Sequence, residues 1–277
     1  MTVAELWRYP VKSMGGERLE SIHFTATGGE GDRGLALIDR TSGRIGSAKL
    51  PRRWGTLLGC SARRLPDGRV AVTLPGGEVV TGPGPELDRA IAALIGADVT
   101  IGAAVPDDAT IDRYWPDIDG LAMRDTETSG PIAGAAPGTF FDHAPVHLVT
   151  TSALASVGAC DGTAADPRRF RPNLVIDSGS EADAFPENAW VGRTLAIGEA
   201  ELTIIARSPR CVVTTLAQPG VPADLGLLRA VARDNTVPFA EPGSTRMPCL
   251  GVYATVTRPG TVHAGDAVRI LESPVQR

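Results

Sequence analysis

A cysteine next to an arginine is the clearest candidate for chemistry in this chain. The segment reads Arg207-Ser208-Pro209-Arg210-Cys211-Val212-Val213-Thr214-Thr215, and its β-branched end predicts a strand over 212–215. Nearby positive charge favours the thiolate of Cys211, which is the form that binds metals or attacks electrophiles. The alternative is a buried, unreactive side chain, because free cysteines are among the most buried residues.

Three other segments place cations where an anion could bind. Lys12-Ser13 follows the first predicted strand and lies beside two glycines, and Arg33 lies in the turn-like Gly31-Asp32-Arg33-Gly34. The run Arg168-Arg169-Phe170-Arg171-Pro172-Asn173 directly precedes an apolar strand. Each cluster suits a phosphate or carboxylate. The alternatives are solvated turns for the first two clusters and internal Arg–carboxylate networks for the third.

The composition of the chain limits its class. It has 277 residues, 43% of them hydrophobic and 21% charged, which is enough for a large core in one large or two modest domains. The net charge of -5 argues against nucleic acid as a partner, because such binding needs a basic surface.

The spacing of the cysteines and the N-terminal segment indicate where in the cell the protein is expected. Cys60, Cys160, Cys211 and Cys249 are far apart and form no CxxC pair, so we expect reduced thiols rather than a disulfide framework. We identify no signal peptide and no run long enough to span a bilayer. The expectation is therefore a cytoplasmic protein without a membrane partner.

Alternation of apolar residues and frequent turn residues predict a mainly β fold with a few short helices. We expect a helix over 86–95 after Pro85, a short helix capped near Thr150 and an amphipathic helix over 224–233. Residues 103–140 show no clear period and are predicted to be a linker or long surface segment, with Tyr114-Trp115 as a point that could dock onto a domain. Strands are predicted at 3–9, 18–25, 34–39, 57–64, 69–74, 146–149, 174–176, 194–197, 201–205, 252–257 and 267–271.

Several familiar chemistries have no motif here. The sequence contains no GxGxxG after a strand, no GxxxxGK[ST], no HExxH and no GxSxG. His143 and His147 would share a helix face only without Pro145 between them, which argues against a metal site there. The residues alone therefore indicate an anion-binding pocket with one candidate thiolate, and they do not name the ligand.

Taken in order, four segments resemble a known family. Leu6-Trp7-Arg8-Tyr9-Pro10-Val11-Lys12-Ser13 resembles the opening of the N-terminal β-barrel domain that precedes many MOSC domains. The segments 169–176 and 210–215 are similar to the two central MOSC signatures, and Leu250-Gly251-Val252-Tyr253 with the later Pro-Gly and Gly-Asp turns resembles the close of the domain. The resemblance implies a barrel-like N-terminal domain over 1–115 and a MOSC β-barrel domain over 116–277.

Among well-understood proteins, the chain is similar to the mitochondrial amidoxime reducing component and its bacterial counterparts. The resemblance implies a molybdenum cofactor (Mo-molybdopterin) and two-electron reduction of N-hydroxylated small molecules. Electrons would come from a separate flavin, iron–sulfur or haem protein, because the chain has no such motif of its own. Carried over by position, Cys211 would be the catalytic metal ligand. The cofactor would be lined by Lys12, Ser13, Arg33, Thr150, Arg171, Asn173, Arg210 and Tyr253.

Two departures from the family pattern and one alternative function remain. Pro209 stands where the family usually has Ser, which removes a hydroxyl and a backbone N–H from the cofactor shell. The acidic segment that follows the cysteine motif in the reductases is replaced here by Leu216-Ala217-Gln218-Pro219-Gly220, a difference that bears on the substrate.

The alternative function is a non-catalytic carrier of cofactor or sulfur, since a fold does not fix an activity. Apart from Lys12 we find no positioned lysine for pyridoxal phosphate.

Overall fold

The computed structural model describes residues 1–103, 109–119, 124–131, 138–158, 164–180 and 182–271. Its strands are β1 (Thr2–Arg8), β2 (Glu17–Leu19), β3 (Ser21–Thr25), β4 (Gly28–Gly29), β5 (Ala36–Asp39), β6 (Ser61–Arg64), β7 (Val70–Thr73), β8 (Val79–Gly82), β9 (Val99–Gly102), β10 (Thr110–Trp115), β11 (Thr126–Pro131), β12 (Val146–Thr150), β13 (Leu174–Asp177), β14 (Thr194–Ile197), β15 (Ala200–Pro209), β16 (Thr236–Pro238), β17 (Arg246–Arg258), β18 (Gly260–His263) and β19 (Val268–Leu271). The α-helices are α1 (Pro51–Trp54), α2 (Pro85–Ile95), α3 (Thr151–Ser156) and α4 (Leu225–Asp234), and 3₁₀ turns lie at Gly55–Gly59, Pro167–Arg169, Pro186–Trp190 and Val212–Thr215. The predicted mainly β class is confirmed.

The largest sheet forms a barrel that includes the first strand of the chain. Its order is β19-β14-β15-β17-β12-β13-β1-β2, with β16 added beside β17. The barrel closes between β1 and β19, because Val3 N donates to Asp266 O at 2.9 Å and Val268 N donates to Met1 O at 2.9 Å. Inward-facing residues from seven of these strands share one buried core. The first strand therefore completes a barrel whose other strands, apart from β2, come from the second half of the chain.

A second core lies in the first half of the chain. Strands β6, β7 and β8 form an antiparallel sheet, and β5 pairs with β9. Helix α2 packs against β8 and β9 through Leu87 and Ile91, which are fully buried around Trp54. Pro85 at the first helical turn and Gly96 at φ 68° bound this helix, as the sequence predicts.

A third apolar layer covers the outside of the barrel. Helices α3 and α4 pack on it, so that β12 is buried along its whole length. Thr150 caps α3 by accepting from Ala153 N, and Asp224 caps α4 by accepting from Gly226 N and Leu227 N. Both predicted helices are confirmed to within a residue or two of their ends.

Three predicted elements differ in the structure. Residues 212–215 form a 3₁₀ turn rather than a strand, because the hydroxyls of Thr214 and Thr215 bond to the carbonyls of Cys211 and Val212. The predicted strand at 57–64 begins only at Ser61, after the 3₁₀ turn at Gly55–Gly59. The single strand predicted at 18–25 is divided between β2 and β3.

The segment predicted as a linker contains a hairpin. Strands β10 and β11 pair from Thr110↔Pro131 to Trp115↔Thr126, and Ile111 is fully buried. Alternation is hard to recognise here because the less exposed positions of β11 are Thr126, Thr128 and Gly130 rather than apolar residues. Tyr114 packs against the second core, as expected of a docking residue. Residues 104–108, 120–123 and 132–137 of the predicted linker, like Cys160, lie outside the described residues.

The division between the two predicted domains, at residue 115, stays a prediction. Backbone pairing crosses it at β1 with β13 and at β3 with β18. No helix in the described ranges is both long and apolar enough to cross a membrane.

Candidate functional site

One cleft collects most of the residues singled out in the sequence. It has an empty volume of about 840 Å³, including the part open to solvent. Eight of the nine predicted site residues line it: Lys12, Ser13, Arg33, Arg171, Asn173, Arg210, Cys211 and Tyr253. These side chains come from loops and strands in both halves of the chain, so that only the assembled fold brings them together.

Four elements position these residues. Lys12 and Ser13 follow β1, and Arg171 and Asn173 directly precede its neighbour β13. Cys211 comes two residues after Pro209, the last residue of β15. Tyr253 projects from β17, which pairs with both β12 and β15. The cleft therefore lies where β1, β13, β15 and β17 bring their loops and side chains to one place.

The backbone around the cleft is strained. Ser13, Arg33 and Arg171 have φ of 65°, 48° and 57°, and Asp125 is the other non-glycine residue with positive φ among the described residues. The left-handed region costs an L residue about 1–2 kcal/mol. Such conformations persist where the surrounding structure fixes them, and they cluster at ligand-binding sites.

Two guanidinium groups enclose Tyr9 at one end of the cleft. The Cζ atoms of Arg33 and Arg171 lie 4.7 Å and 4.3 Å from the centroid of its ring. Arg33 bonds to Asp32 and to the Arg171 carbonyl, and Arg171 Nη1 donates to Met14 O at 2.6 Å. Two like charges thus share a buried site with a single carboxylate.

Arg171 has unused donor capacity there. Its Nη2 is buried and has no hydrogen-bond partner in the described structure. Burial, with Arg33 nearby, lowers the pKa of Arg171 to about 10. An unpaired buried donor is costly unless an acceptor arrives from outside the chain. This end of the cleft is therefore suited to an anionic group such as a phosphate.

Asn173 is engaged within the protein instead. Its Oδ1 accepts from His147 N at 3.1 Å, and its Nδ2 donates to Asp32 Oδ2 at 2.9 Å and Trp7 O at 3.3 Å. Asp32 also accepts from Tyr9 N at 2.7 Å. Asn173 and Asp32 therefore hold β1, β12 and the arginine pair in place.

A carboxylate between two lysines forms the other end of the cleft. Asp142 lies 2.6 Å from Lys12 Nζ and 3.2 Å from Lys49 Nζ. Burial alone would raise the pKa of Asp142, but the two ammonium groups hold it well below its usual range. Burial lowers the pKa of Lys12 to about 8, against the opposing effect of Asp142. One negative charge is thus shared by two cations.

Cys211 is the partly exposed cysteine of the three in the described residues. Burial raises the pKa of the Cys60 thiol to about 11 and that of Cys249 to about 12, which makes both unreactive. Lys49 lies close enough that Asp142 and Cys211 raise its pKa despite burial. Arg210, the neighbour that suggested a thiolate, instead bonds through Nε to Ser208 O at 3.2 Å and through Nη1 to Phe170 O at 3.2 Å. The cation near Cys211 is also Lys49, which the sequence analysis did not identify.

Thr150 lies away from the cleft. It is fully buried, caps α3 and donates to Glu187 Oε2 at 2.7 Å. Glu187 also accepts from Gly251 N at 3.1 Å, which ties β12 to β17 behind the site. Thr150 therefore holds α3 and Glu187 in position and does not line the cleft.

Lining residues that sequence reasoning missed include Lys49, Asp142 and His143. Asp142 and His143 lie just after the 103–140 run predicted as a linker, and Lys49 lies in a short loop before α1. The His143 ring lies 5.2 Å from Tyr253 and 4.9 Å from Phe239, centroid to centroid. Only the pairing of distant segments reveals these residues, and no local motif contains them.

A second cavity of about 900 Å³ adjoins the first. The two share Cys211, Lys49 and Asp142, while the second is walled by the side chains of Tyr114, Trp115, Phe239 and Met247. A cationic cleft and a more apolar cavity thus meet at the candidate thiolate. The arrangement can hold an anionic cofactor on one side of Cys211 and a less polar molecule on the other.

Comparisons with known proteins cover most of the chain. The family described as "MOSC domain" matches residues 135–269, and the family described as "MOSC N-terminal beta barrel domain" matches residues 1–108. The second match contains Lys12, Ser13 and Arg33, and the first contains Arg171 and Cys211. The two halves of the cleft therefore fall in the two matched regions.

Similar proteins include two curated relatives. Mitochondrial amidoxime-reducing component 1 of Danio rerio is 30% identical over 157 residues, covering 56% of this chain and 45% of that protein. Mitochondrial amidoxime reducing component 2 of Rattus norvegicus is 29% identical over 139 residues, covering 46% and 37%. The chain spans less than half the length of these relatives. A solved structure, the YuaD protein from Bacillus subtilis, matches at 12% identity with a TM-score of 0.45, covering 96% of this chain and 93% of that one.

Proposed function

From the premise that this chain belongs to the MOSC family, as a MOSC domain preceded by a MOSC N-terminal β-barrel domain, we propose that it is a molybdenum-cofactor-dependent reductase of N-hydroxylated compounds. The observation that supports this most is the convergence of eight predicted residues from both matched regions on one cleft around a partly exposed thiol. The relatives named as amidoxime-reducing components supply the substrate class of the proposal.

The residues present fit the cofactor. The unpaired Nη2 of Arg171 supplies a donor for an anionic group, and Arg33 supplies a second guanidinium. Cys211 supplies the soft thiolate that suits molybdenum. The hydroxyl of Ser13 accepts from Ala48 N at 3.0 Å, which leaves its own proton free to donate. Arg33 and Arg171 would therefore hold the phosphate end and Cys211 the metal end.

When bound, the cofactor supplies two-electron reduction of the N–O bond: an amidoxime, two electrons and two protons give an amidine and water. The electrons would come from a separate redox protein, since this chain has no flavin, haem or iron–sulfur motif. The chain itself places a cation, Lys49, beside Cys211, and Tyr253 packs against His147 with ring centroids 5.4 Å apart in the wall of the site. Asp142 keeps Lys12 and Lys49 in fixed positions beside the reacting centre.

The test is molybdenum content by plasma mass spectrometry on protein from a cofactor-competent host, followed by turnover of benzamidoxime with a chemical reductant. We expect about one metal per chain in the wild type and almost none in Cys211→Ala. Cys60→Ala is the matched control, because it removes a thiol from the apolar core of the first half. It should keep its metal.

Two results would contradict the proposal. Full metal content in Cys211→Ala would show that another group ligates the metal. Metal in the wild type without turnover of any N-hydroxylated compound would favour the carrier function, and assays for release of cofactor or for a persulfide on Cys211 would then decide between cofactor and sulfur as the cargo.

A further inference from the structure

The second cavity opens directly onto Cys211. Seven residues line both cavities: Lys49, Asp142, His143, Pro209, Arg210, Cys211 and Tyr253. If the cofactor occupies the first cavity, as proposed above, a molecule in the second reaches the metal ligand without passing the arginine pair around Tyr9. The second cavity is therefore the natural place for the substrate.

Its walls are aromatic and apolar, and the polar atoms of the two largest side chains are bonded to neighbouring residues of the protein. Trp115 Nε1 donates to Thr128 Oγ1 at 3.0 Å, and the Tyr114 hydroxyl donates to Asp125 Oδ1 at 3.3 Å. Phe239 and Met247 complete the wall. Because the polar atoms of Trp115 and Tyr114 are satisfied within the β10–β11 hairpin, the cavity meets their carbon surfaces. Such walls favour a flat, apolar body.

The charge on the same walls is positive. Lys49, Arg113 and Arg210 line the cavity, and Asp142 is its one carboxylate among the described residues. Asp142 is also paired with Lys12, which lies only in the first cavity. Even when the Cys211 thiolate is counted, the second cavity keeps one positive charge in excess.

Arg113 is the cation with the most free capacity. Its Nη2 donates to Pro131 O at 3.1 Å, and no carboxylate of the described residues lies within ion-pair distance of it. Arg113 and Lys49 line the same cavity, and Arg113 acts against the rise in the pKa of Lys49 that Asp142 and Cys211 cause. Arg210, by contrast, is held by Ser208 and Phe170. Two cations, Arg113 and Lys49, thus face one side of an apolar cavity.

We propose that the second cavity selects N-hydroxylated substrates that combine a flat apolar body with an anionic group, which Arg113 and Lys49 bind. This inference rests on the proposed function and narrows its substrate class. Trp115 and Phe239 contact the body, while the N–O group lies toward Cys211. A carboxylate on the far side of the ring meets the guanidinium of Arg113.

The experiment compares 4-carboxybenzamidoxime with neutral benzamidoxime on the full-length holoprotein. The measured quantities are kcat/KM for each compound and the dissociation constant of each by titration calorimetry. We expect the wild type to prefer the carboxylated compound about tenfold, the effect of one charge-assisted hydrogen bond. Arg113→Met should remove that preference, chiefly by lowering kcat/KM and weakening binding for the carboxylated compound.

Two further variants keep the test specific. Arg113→Lys retains the charge and should restore most of the preference, whereas Arg269→Met removes an exposed cation on β19, outside both cavities, and should leave it unchanged. The inference about the cavity is overturned if the wild type uses both compounds equally, or if Arg113→Met keeps the wild-type preference. In either case, turnover of benzamidoxime would still support the proposed reductase activity. If neither compound is reduced, the reductase proposal fails, and the dissociation constants still decide whether the cavity prefers the anion.

Discussion

Replacing Arg171 by Met separates the binding role of this residue from a structural one. The substitution keeps an unbranched, flexible side chain in place of the apolar stem and removes the guanidinium with its charge. Arg168→Met is the matched control from the same basic segment. The guanidinium of Arg168 is held by Asp166 Oδ2 at 2.6 Å and by the Pro219 carbonyl at 3.1 Å, and it does not line the cleft.

The effect on the unfolding of the cofactor-free protein is small because opposing contributions cancel. The pKa of Arg171 is lowered from its ordinary value to about 10, so that burying its charge beside Arg33 costs roughly 3 kcal/mol. The variant regains that amount. It loses the hydrogen bond to Met14 O, worth about 1–3 kcal/mol because the carbonyl is left unpaired, and the contact with Tyr9, worth about 0.5–2 kcal/mol. We expect a net change within about 2 kcal/mol, because the gain and the losses are of similar size.

The effect on cofactor retention is large. One charge-assisted hydrogen bond to an anion contributes about 1.5–3 kcal/mol, which corresponds to roughly 10- to 100-fold weaker binding. The assay adds cofactor to cofactor-free protein, removes the unbound part by gel filtration and measures retained molybdenum at several salt concentrations. Retention by the wild type should fall with salt, and the variant should show a weaker salt dependence.

Two outcomes would refute this reasoning. A loss of more than about 3 kcal/mol in the unfolding free energy of cofactor-free Arg171→Met would show that the guanidinium is a structural element whose burial is already compensated. Equal molybdenum retention by Arg171→Met and Arg168→Met would show that the unpaired Nη2 does not face the ligand.

Two predictions concern buried groups near the site. Tyr9→Phe should leave the unfolding free energy unchanged or raise it by about 1 kcal/mol, because the buried hydroxyl has no partner in the described structure and the ring still packs between Arg33 and Arg171. Denaturant unfolding measures this free energy. A loss above about 1 kcal/mol would show that the hydroxyl has a partner. Burial raises the pKa of Glu187, so that its contribution to stability is complete below the ordinary carboxyl pKa and is lost as the pH rises through the raised value. Glu187→Gln should therefore flatten the fall in stability above about pH 4.5 and make the protein more stable than the wild type at pH 8. Unfolding curves at several pH values test this, and an unchanged slope would contradict it.

The sequence determined the class and many of the elements, because their signals are local. Pro85 and Gly96 mark the ends of α2, and Asp224 marks the start of α4, since caps and helix terminators act within a few residues. The Asp67-Gly68 turn between β6 and β7 is equally local, and Gly68 has the positive φ that such a turn needs. The family resemblance supplied eight residues that line one cleft, and it also supplied Thr150, which lies elsewhere.

Other features depended on the tertiary structure, because their causes are distant in the chain. Residues 212–215 have β-branched side chains typical of a strand, but the chain leaves the sheet at Pro209 and the threonine hydroxyls close a 3₁₀ turn. Lys49 and Asp142 are separated by more than ninety residues, and only the folding of both halves brings them to one ion pair beside Cys211. The same is true of the orphaned donor of Arg171 and of the barrel itself, whose first strand comes from the other half of the chain. Local sequence fixes turns, caps and periodicity, whereas charge pairing and cavity shape arise when distant segments meet.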